Sequence, residues 1–354
     1  MRVGIFDPYL DDLGGGEKYM MTIAAHLSKK HNVDVFWNNR RDLEQVAERF
    51  SLNLDKVKLI NNIFANNYPL LKRLKNSLKY DVIIVLSDGS IPLLFTKKTL
   101  IHFQQPMPQV KPSLTNTLKL KKINKIFCNS KFTKSFIDKE FNIASKVLYP
   151  PVEINDKNIA KENIILNVGR FRINRQLNTE FKKQSVLIEV FKKMVDKGLK
   201  DWKFALVVSV KKEDEQDFEK LKILSTGYPI KFLINQPNIK LHEEYSKAKI
   251  YWHASGFGED LENHPELAEH FGISTVEAMS AGCVPVAINA GGQKEIVENN
   301  KSGYLWNNLK ELETLTIQLI NDSDLINRIS KAAKETPKKF SKEKFEQDID
   351  LLIL

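Results

Sequence analysis

A chain of 354 residues, 42% of them hydrophobic, is too long for one ordinary domain and suits two of ordinary size, each with a real core. No apolar run approaches the roughly 18–20 residues of a membrane span, and the start, Met-Arg-Val-Gly-Ile-Phe-Asp, turns to charge too early for a secretory signal. The formal net charge of +10 lies wholly in residues 1–155, which suits either a solvated surface or contact with an anionic surface or acceptor. Basic stretches interleaved with aromatics are missing, so nucleic acid is not an expected partner. Cys128 and Cys283 fall in separate halves and read as free thiols of a reducing, cytoplasmic setting.

In chain order, Arg2–Phe6 predicts a buried strand, Glu17–Lys29 a helix and Val33–Trp37 a second strand. Between the first two, Asp11-Asp-Leu-Gly-Gly-Gly-Glu17 opens a helix with three glycines, which lets backbone amides approach a ligand or simply makes a flexible turn. The spacing is not Gly-x-Gly-x-x-Gly, so a dinucleotide site is not indicated. Strands follow at Val57–Ile60, Val82–Leu86, Thr99–Phe103 and Lys125–Cys128, alternating with helical patterns as in a doubly wound parallel sheet. Asn67–Tyr80 is basic and amphipathic, with Leu70, Leu71, Leu74 and Leu78 on one side. It reads either as a helix lying on anionic lipid or as a core-facing helix with a basic outer face. His102 ends a strand in Ile-His-Phe-Gln-Gln-Pro, where strand carboxyl ends line ligand crevices. Ser130 reads as a helix N-cap.

Tyr149-Pro-Pro-Val-Glu153 marks a boundary, after which Asn163–Val168 restarts a strand leading into Gly169-Arg-Phe171. A helix is expected at Ser185–Lys197, and strands at Lys203–Val208, Ile230–Ile234 and Ile250–His253. The acidic loop Ser255–Ala268 carries His264, which with His253 and His270 matches no common metal-ligand spacing; no metal is expected. Asp322-Ser-Asp324 and Asp348-Ile-Asp350 fall in helical patterns and read as solvated faces. Phe345, Ile349 and Leu352 give the final segment, Ser341–Leu354, a helical stripe.

The most informative stretch runs from Glu269 to Pro285. Phe271-Gly272 predicts a tight turn, Ser274–Ala281 a helix buried through Ile273, Val276 and Met279, and Val284–Ile288 a buried strand after Gly282. On one helix Glu269 and Glu277 would sit about 80° apart, so they are not a stacked pair. Glu269 is better placed in the loop before the helix and Glu277 in its first turns, both framing an amide-rich end that suits phosphate. A carboxylate accepts from both hydroxyls of a ribose, which fits Glu277.

Glu-x7-Glu enclosing Phe-Gly-Ile-Ser, followed by Glu-Ala-Met-x-Ala-Gly-x-x-Pro-Val, resembles the retaining GT-B glycosyltransferases of family 4. The resemblance implies two Rossmann-like α/β domains with a cleft between them: residues 1–150 on the acceptor side, 151–340 binding a nucleotide sugar, and 341–354 as a helix crossing back. It implies a GDP- or UDP-hexose donor, a metal-independent transfer with retained anomeric configuration, and a glycan, lipid or polysaccharide acceptor. The variant Glu-His-Phe-Gly-Ile is similar to mannosyltransferases that extend lipid-linked oligosaccharides, which points to GDP-mannose. The implied site comprises His102 near the donor sugar, Arg170 and Lys183 as diphosphate cations and Glu269 near the sugar. Gly15, Gly16, Phe271, Gly272, Ile273, Ser274, Glu277, Gly291 and Gly292 complete the donor-facing set. The separation of Arg170 from Lys183 is stretched by Arg172–Phe181, and Gln184 replaces the usual glycine, so Lys182 is an alternative to Lys183. A cytoplasmic enzyme peripheral to a membrane is the expected setting. A sugar-nucleotide epimerase of the same fold and a non-catalytic basic binding protein are the rival readings.

Overall fold

The computed structural model describes residues 1–107, 113–155 and 159–354. The chain divides into two compact units, Met1–Pro151 with Lys342–Leu354, and Val152–Ser341. The first unit runs β1 (Arg2–Phe6), α1 (Gly15–Leu27), β2 (Asn32–Phe36), α2 (Arg40–Phe50), β3 (Val57–Ile60), α3 (Leu70–Ser77), β4 (Val82–Leu86), β5 (Lys98–Phe103), α4 (Leu114–Leu120), β6 (Lys125–Cys128), α5 (Lys131–Phe141) and β7 (Lys146–Val147). Its strands pair in parallel in the order β3-β2-β1-β4-β5-β6-β7. Strands covered on both faces read as nearly unbroken apolar runs, and β4, Val-Ile-Ile-Val-Leu, is buried at every position. The Ser130 hydroxyl caps α5 by accepting the Thr133 amide at 2.9 Å.

The second unit runs β8 (Glu162–Phe171), β9 (Ile173–Asn174), β10 (Thr179–Glu180), α6 (Gln184–Asp196), β11 (Lys203–Val210), α7 (Glu215–Leu224), β12 (Ile230–Ile234), α8 (Asn238–Lys247), β13 (Ala248–His253), α9 (Ile273–Ser280), β14 (Val284–Ile288), α10 (Gln293–Ile296), β15 (Tyr304–Trp306), α11 (Leu309–Asn321) and α12 (Ser323–Ala333). Its main sheet is ordered β12-β11-β8-β13-β14-β15, all parallel. In both sheets the first strand sits centrally, with strands two and three on one side and four onward on the other. That is the doubly wound order, and its crevice opens at the carboxyl ends where the order reverses. In the second unit that point lies between β8 and β13.

The final helix, α13 (Lys342–Ile353), belongs to the first unit. Its Phe345, Ile349, Leu352 and Ile353 join the core formed by α1, α2 and the sheet. His26 of α1 meets Asp350 at 2.8 Å, and Lys29 meets Glu346 at 2.9 Å. Asp350 is therefore a packing partner and not a solvated face. Asp322 is a helix cap, accepting the Leu325 amide at 2.8 Å.

One sequence expectation changes. The amphipathic segment is helical only over Leu70–Ser77, and Leu70, Leu71 and Leu78 are exposed, so it is not a core-facing helix. The stretch Arg172–Phe181, which lengthens the separation of Arg170 from Lys183, folds into a small antiparallel hairpin of β9 and β10. Both cysteines are buried and free. Among the described residues, no helix is long and apolar enough to cross a membrane.

Candidate functional site

Three chain segments of the second unit bring chemistry to the carboxyl edge of its sheet. Arg170 lies near the end of β8, half-buried. His253 ends β13 and is enclosed. The third segment is Glu269–Ile273, entering α9.

The entry to α9 is shaped by glycines at close approaches. Gly272 has a φ of +120° at the helix N-cap, where side chains are strained, and a Cβ there would also collide with Gln293. Gly291 has a φ of +57°, and a Cβ on it would strike the Glu269 carbonyl; one on Gly292 would strike Phe271. The Gly292 amide instead donates to the Glu269 carbonyl at 2.7 Å. Gly291 and Gly292 are buried and support the loop from behind. Phe271 packs edge-on to Phe340 at 5.1 Å. The half-exposed face of α9 presents Ile273, Ser274 and Glu277. The Tyr245 hydroxyl donates to Glu277 Oε2 at 3.0 Å, and the Tyr251 hydroxyl meets Ser274 Oγ at 2.8 Å.

Each of the adjacent lysines has its own carboxylate. Lys182 pairs with Glu269, and Lys183 pairs with Glu259 and with the Thr179 hydroxyl. Thr179 Oγ1 also donates to Glu259 Oε1 at 2.5 Å. The two segments with unusual spacing, the β9–β10 hairpin and the acidic loop before Glu269, thus meet at Lys183. Lys183 itself adopts a left-handed backbone, φ +53°, at the N-cap of α6. Burial raises the Glu269 carboxyl, but the Lys182 charge and the His253 hydrogen bond outweigh it and hold the group well below the usual carboxylate range. Glu259 is likewise lowered, Lys183 and Thr179 overcoming its burial.

The other histidines are separately engaged: His264 Nδ1 lies 3.1 Å from Glu266 Oε1, and His270 Nε2 lies 3.2 Å from the Glu266 carbonyl. No group of three or more His, Cys, Asp or Glu among the described residues is arranged to hold a metal ion.

In the first unit, Gly15 and Gly16 open α1, with Gly15 exposed. Gly16 admits Gln104, whose amide lies 3.3 Å from its carbonyl; a Cβ there would collide with that side chain. Glu17 accepts the Gly14 amide. His102 is 0% exposed, stacked between Tyr19 at 4.2 Å and Phe127 at 4.6 Å. A ring with no open surface does not reach a donor sugar, so the sugar contact expected of His102 is replaced by a place in the core. Burial pushes its pKa down to about 3, against the Phe127 carbonyl 3.1 Å from Nδ1. Asp7 follows β1 at the equivalent reversal point and is buried, with no partner for Oδ2 among the described residues. Burial, then the Glu17 charge, pushes it up to about 8.

Sequence reasoning missed Tyr245, Tyr251, Glu259, Thr179 and the pairing of His253 and Lys182 with Glu269. Tyr251 lies in an apolar strand and Tyr245 in a polar helical stretch, neither of which marks a site, and the ion pairs join residues 76 and 87 positions apart, a separation with no local signal.

The profile of the family Glycosyl transferases group 1 matches residues 152–336, and that of Glycosyltransferase Family 4 matches residues 13–156. The chain belongs to the glycosyl transferases group 1 family. It is similar to the Dictyostelium discoideum GDP-Man:Man(3)GlcNAc(2)-PP-Dol alpha-1,2-mannosyltransferase, 26% identical over 58% of this chain. That match spans only 41% of the relative's length. A second Dictyostelium discoideum protein, the alpha-1,3/1,6-mannosyltransferase ALG2, is 24% identical over 100% of this chain and 98% of its own. Among solved structures, Anabaena HepE in complex with UDP and glucose superposes with a TM-score of 0.72 at 18% identity, covering 100% of this chain and 99% of that one. The two doubly wound sheets are those of the GT-B fold that family members share.

Proposed function

We propose that this member of the family transfers a hexosyl group from a nucleotide sugar to a glycan or lipid-linked acceptor, with retention of configuration and without a metal ion. The observation that carries the reading is the gathering of Arg170, Lys182, Lys183 and Glu269 at the carboxyl edge of β8 and β13, beside a helix entry whose half-exposed face bears Glu277. Arg170 and Lys183 stabilise the diphosphate, joined by the amide-rich start of α9. Glu277, oriented by Tyr245, accepts both ribose hydroxyls. Glu269 accepts hydroxyls of the hexose. In the reaction the bond from the anomeric carbon to the phosphate oxygen breaks and a bond from that carbon to the acceptor oxygen forms on the same face. The departing phosphate oxygen takes the acceptor proton, so no enzymic nucleophile is needed.

The relatives' GDP-mannose chemistry favours a mannosyl donor, and the UDP bound to HepE keeps uridine donors in the test. A thermal-shift panel of nucleoside diphosphates and their hexose conjugates reads this directly, since a ligand of the folded state raises its melting point. Melting that responds to no nucleotide overturns the reading. Release of epimerised free nucleotide sugar without acceptor moves it to epimerisation.

A second reading concerns the setting. The steps from β3 to β4 and from β5 to β6 run the same way along the sheet, so right-handed crossovers put α3 and α4 on one face. There Leu71 is 80% and Leu114 87% exposed, with Lys72, Lys75, Lys119, Lys121 and Lys122 around them. Exposed leucines ringed by lysines suit the interface of an anionic membrane at the cytoplasmic side. Co-sedimentation with phosphatidylserine vesicles but not with phosphatidylcholine vesicles, lost in Leu71→Glu/Leu114→Glu, is the expected result. Equal recovery with both vesicle types refutes it.

A further inference from the structure

The Glu269 carboxylate is held from two sides at a single oxygen. His253 Nε2 lies 2.8 Å from Oε2, and Lys182 Nζ contacts that same atom. No described residue bonds Oε1, and the side chain keeps 17% of its surface open. Two donors on one oxygen fix the plane of the carboxylate and leave the lone pairs of the other directed away from the protein.

The two donors come from different elements and are themselves fixed. His253 ends β13, and its ring is enclosed with Nδ1 buried and without a partner among the described residues. Burial pushes its pKa down against the pull of Glu269, so the ring is neutral. A neutral ring with a bare Nδ1 carries its proton on Nε2, the atom facing Glu269. The Ser255 hydroxyl is the other polar group near that nitrogen, at 3.4 Å. Lys182 reaches Glu269 by laying its stem across Gly169. A Cβ at Gly169 would come within 3.1 Å of Lys182 Cγ, and 3.3 Å of Cδ. The glycine of the Gly-Arg phrase thus leaves a track for the neighbouring lysine.

We propose that Lys182 and His253 are positioning residues, which lock Glu269 so that Oε1 accepts the hydroxyls of the donor hexose. Lys182 then belongs to sugar recognition, and the diphosphate falls to Arg170 and Lys183. This rests on the reading of Glu269 as the sugar-facing carboxylate. Carboxylates that must read a neutral sugar gain from a compensating cation: the charge stays in place through the catalytic cycle, and the open oxygen remains a full-strength acceptor.

The test compares UDP with UDP-glucose and GDP with GDP-mannose by calorimetric titration in Lys182→Met, Lys182→Arg, His253→Ala, His253→Gln and Glu269→Gln, each checked for an unchanged melting profile. Lys182→Met and His253→Ala should weaken the nucleotide sugar about tenfold while the matching diphosphate stays within about twofold. His253→Gln, which keeps an amide donor, should recover most of the loss. Donor turnover in Lys182→Met should also fail at higher pH on the acid side, the limb moving up by about one unit or more as Glu269 loses its cation. The other groups facing that carboxylate, His253, His270 and Tyr251, are unchanged in this variant. Equal losses for diphosphate and nucleotide sugar in Lys182→Met make Lys182 a phosphate ligand and overturn the proposal. If Glu269→Gln loses the preference for the sugar-bearing ligand but the Lys182 and His253 variants keep it, the cradle alone is overturned. If Glu269→Gln itself keeps that preference, the reading of Glu269 falls, and the cradle with it.

Discussion

Tyr245→Phe isolates the ribose contact assigned to Glu277. Tyr245 is wholly buried, and its hydroxyl meets Glu277 Oε2 at 3.0 Å, so the variant deletes one oxygen and keeps the ring packing. Burial, and then the charge of Glu277, lifts the phenol well above its ordinary value, so it stays a donor at every working pH. A hydrogen bond to a charged acceptor contributes about 1.5–3 kcal/mol. Glu277 is half-buried and water can replace part of the lost bond, which favours the low end of that range. About 1.5 kcal/mol corresponds to about tenfold in Kd. The assay is titration with UDP and with 2′-deoxy-UDP, or the guanosine pair if guanosine proves to be the base. The intact protein should prefer the ribonucleotide, and the variant should lose most of that preference with little change toward inorganic pyrophosphate. A variant that weakens both nucleotides and pyrophosphate alike, or none of them, refutes the assignment of Glu277 to the ribose.

Glu259→Gln should tighten nucleoside diphosphate binding severalfold, because Lys183 no longer has to leave a carboxylate before meeting phosphate; weaker binding in titration refutes this. Asp7→Asn should stabilise the protein, and more so at pH 8 than at pH 5. The native carboxyl holds its proton up to about 8 while the unfolded one releases it near 3.8, so stability falls as pH rises between those values at up to about 1.4 kcal/mol per unit. Chemical denaturation showing the same gain at both pH values counts against the buried, protonated state. For His102 the direction reverses. As pH drops from about 6.5 toward 3, only the unfolded chain takes up the proton, and stability is lost. His102→Phe should flatten that acid slope, and an unchanged slope would contradict the core placement.

The elements most legible in the sequence were those where local chemistry and burial agree. β4 and β14, buried at every position, occupy the residues their apolar runs indicate, because strands covered on both faces need no partner to be recognised. β7 and β15 have two and three residues, too few for any period to register. The Glu269–Gly292 segment was legible as a motif because its glycines and turn residues answer to local backbone needs. What holds Glu269 was not, since Lys182 and His253 converge on it only after three elements have taken their places. His102 misled for the opposite reason: a strand end marks an edge of the sheet, but Tyr19 and Phe127 close over it from neighbouring elements, and no reading of one strand reveals its lid.

Residues Lys342–Leu354 complete a body whose other part was translated some two hundred residues before. Until α13 is made, the apolar surface that Phe345, Ile349, Leu352 and Ile353 cover in the finished unit has no partner from that helix. The second unit is contiguous and needs no such delay. Apolar surface left open during synthesis is what a chaperone shields, and in this protein the amino-terminal half carries it for longest.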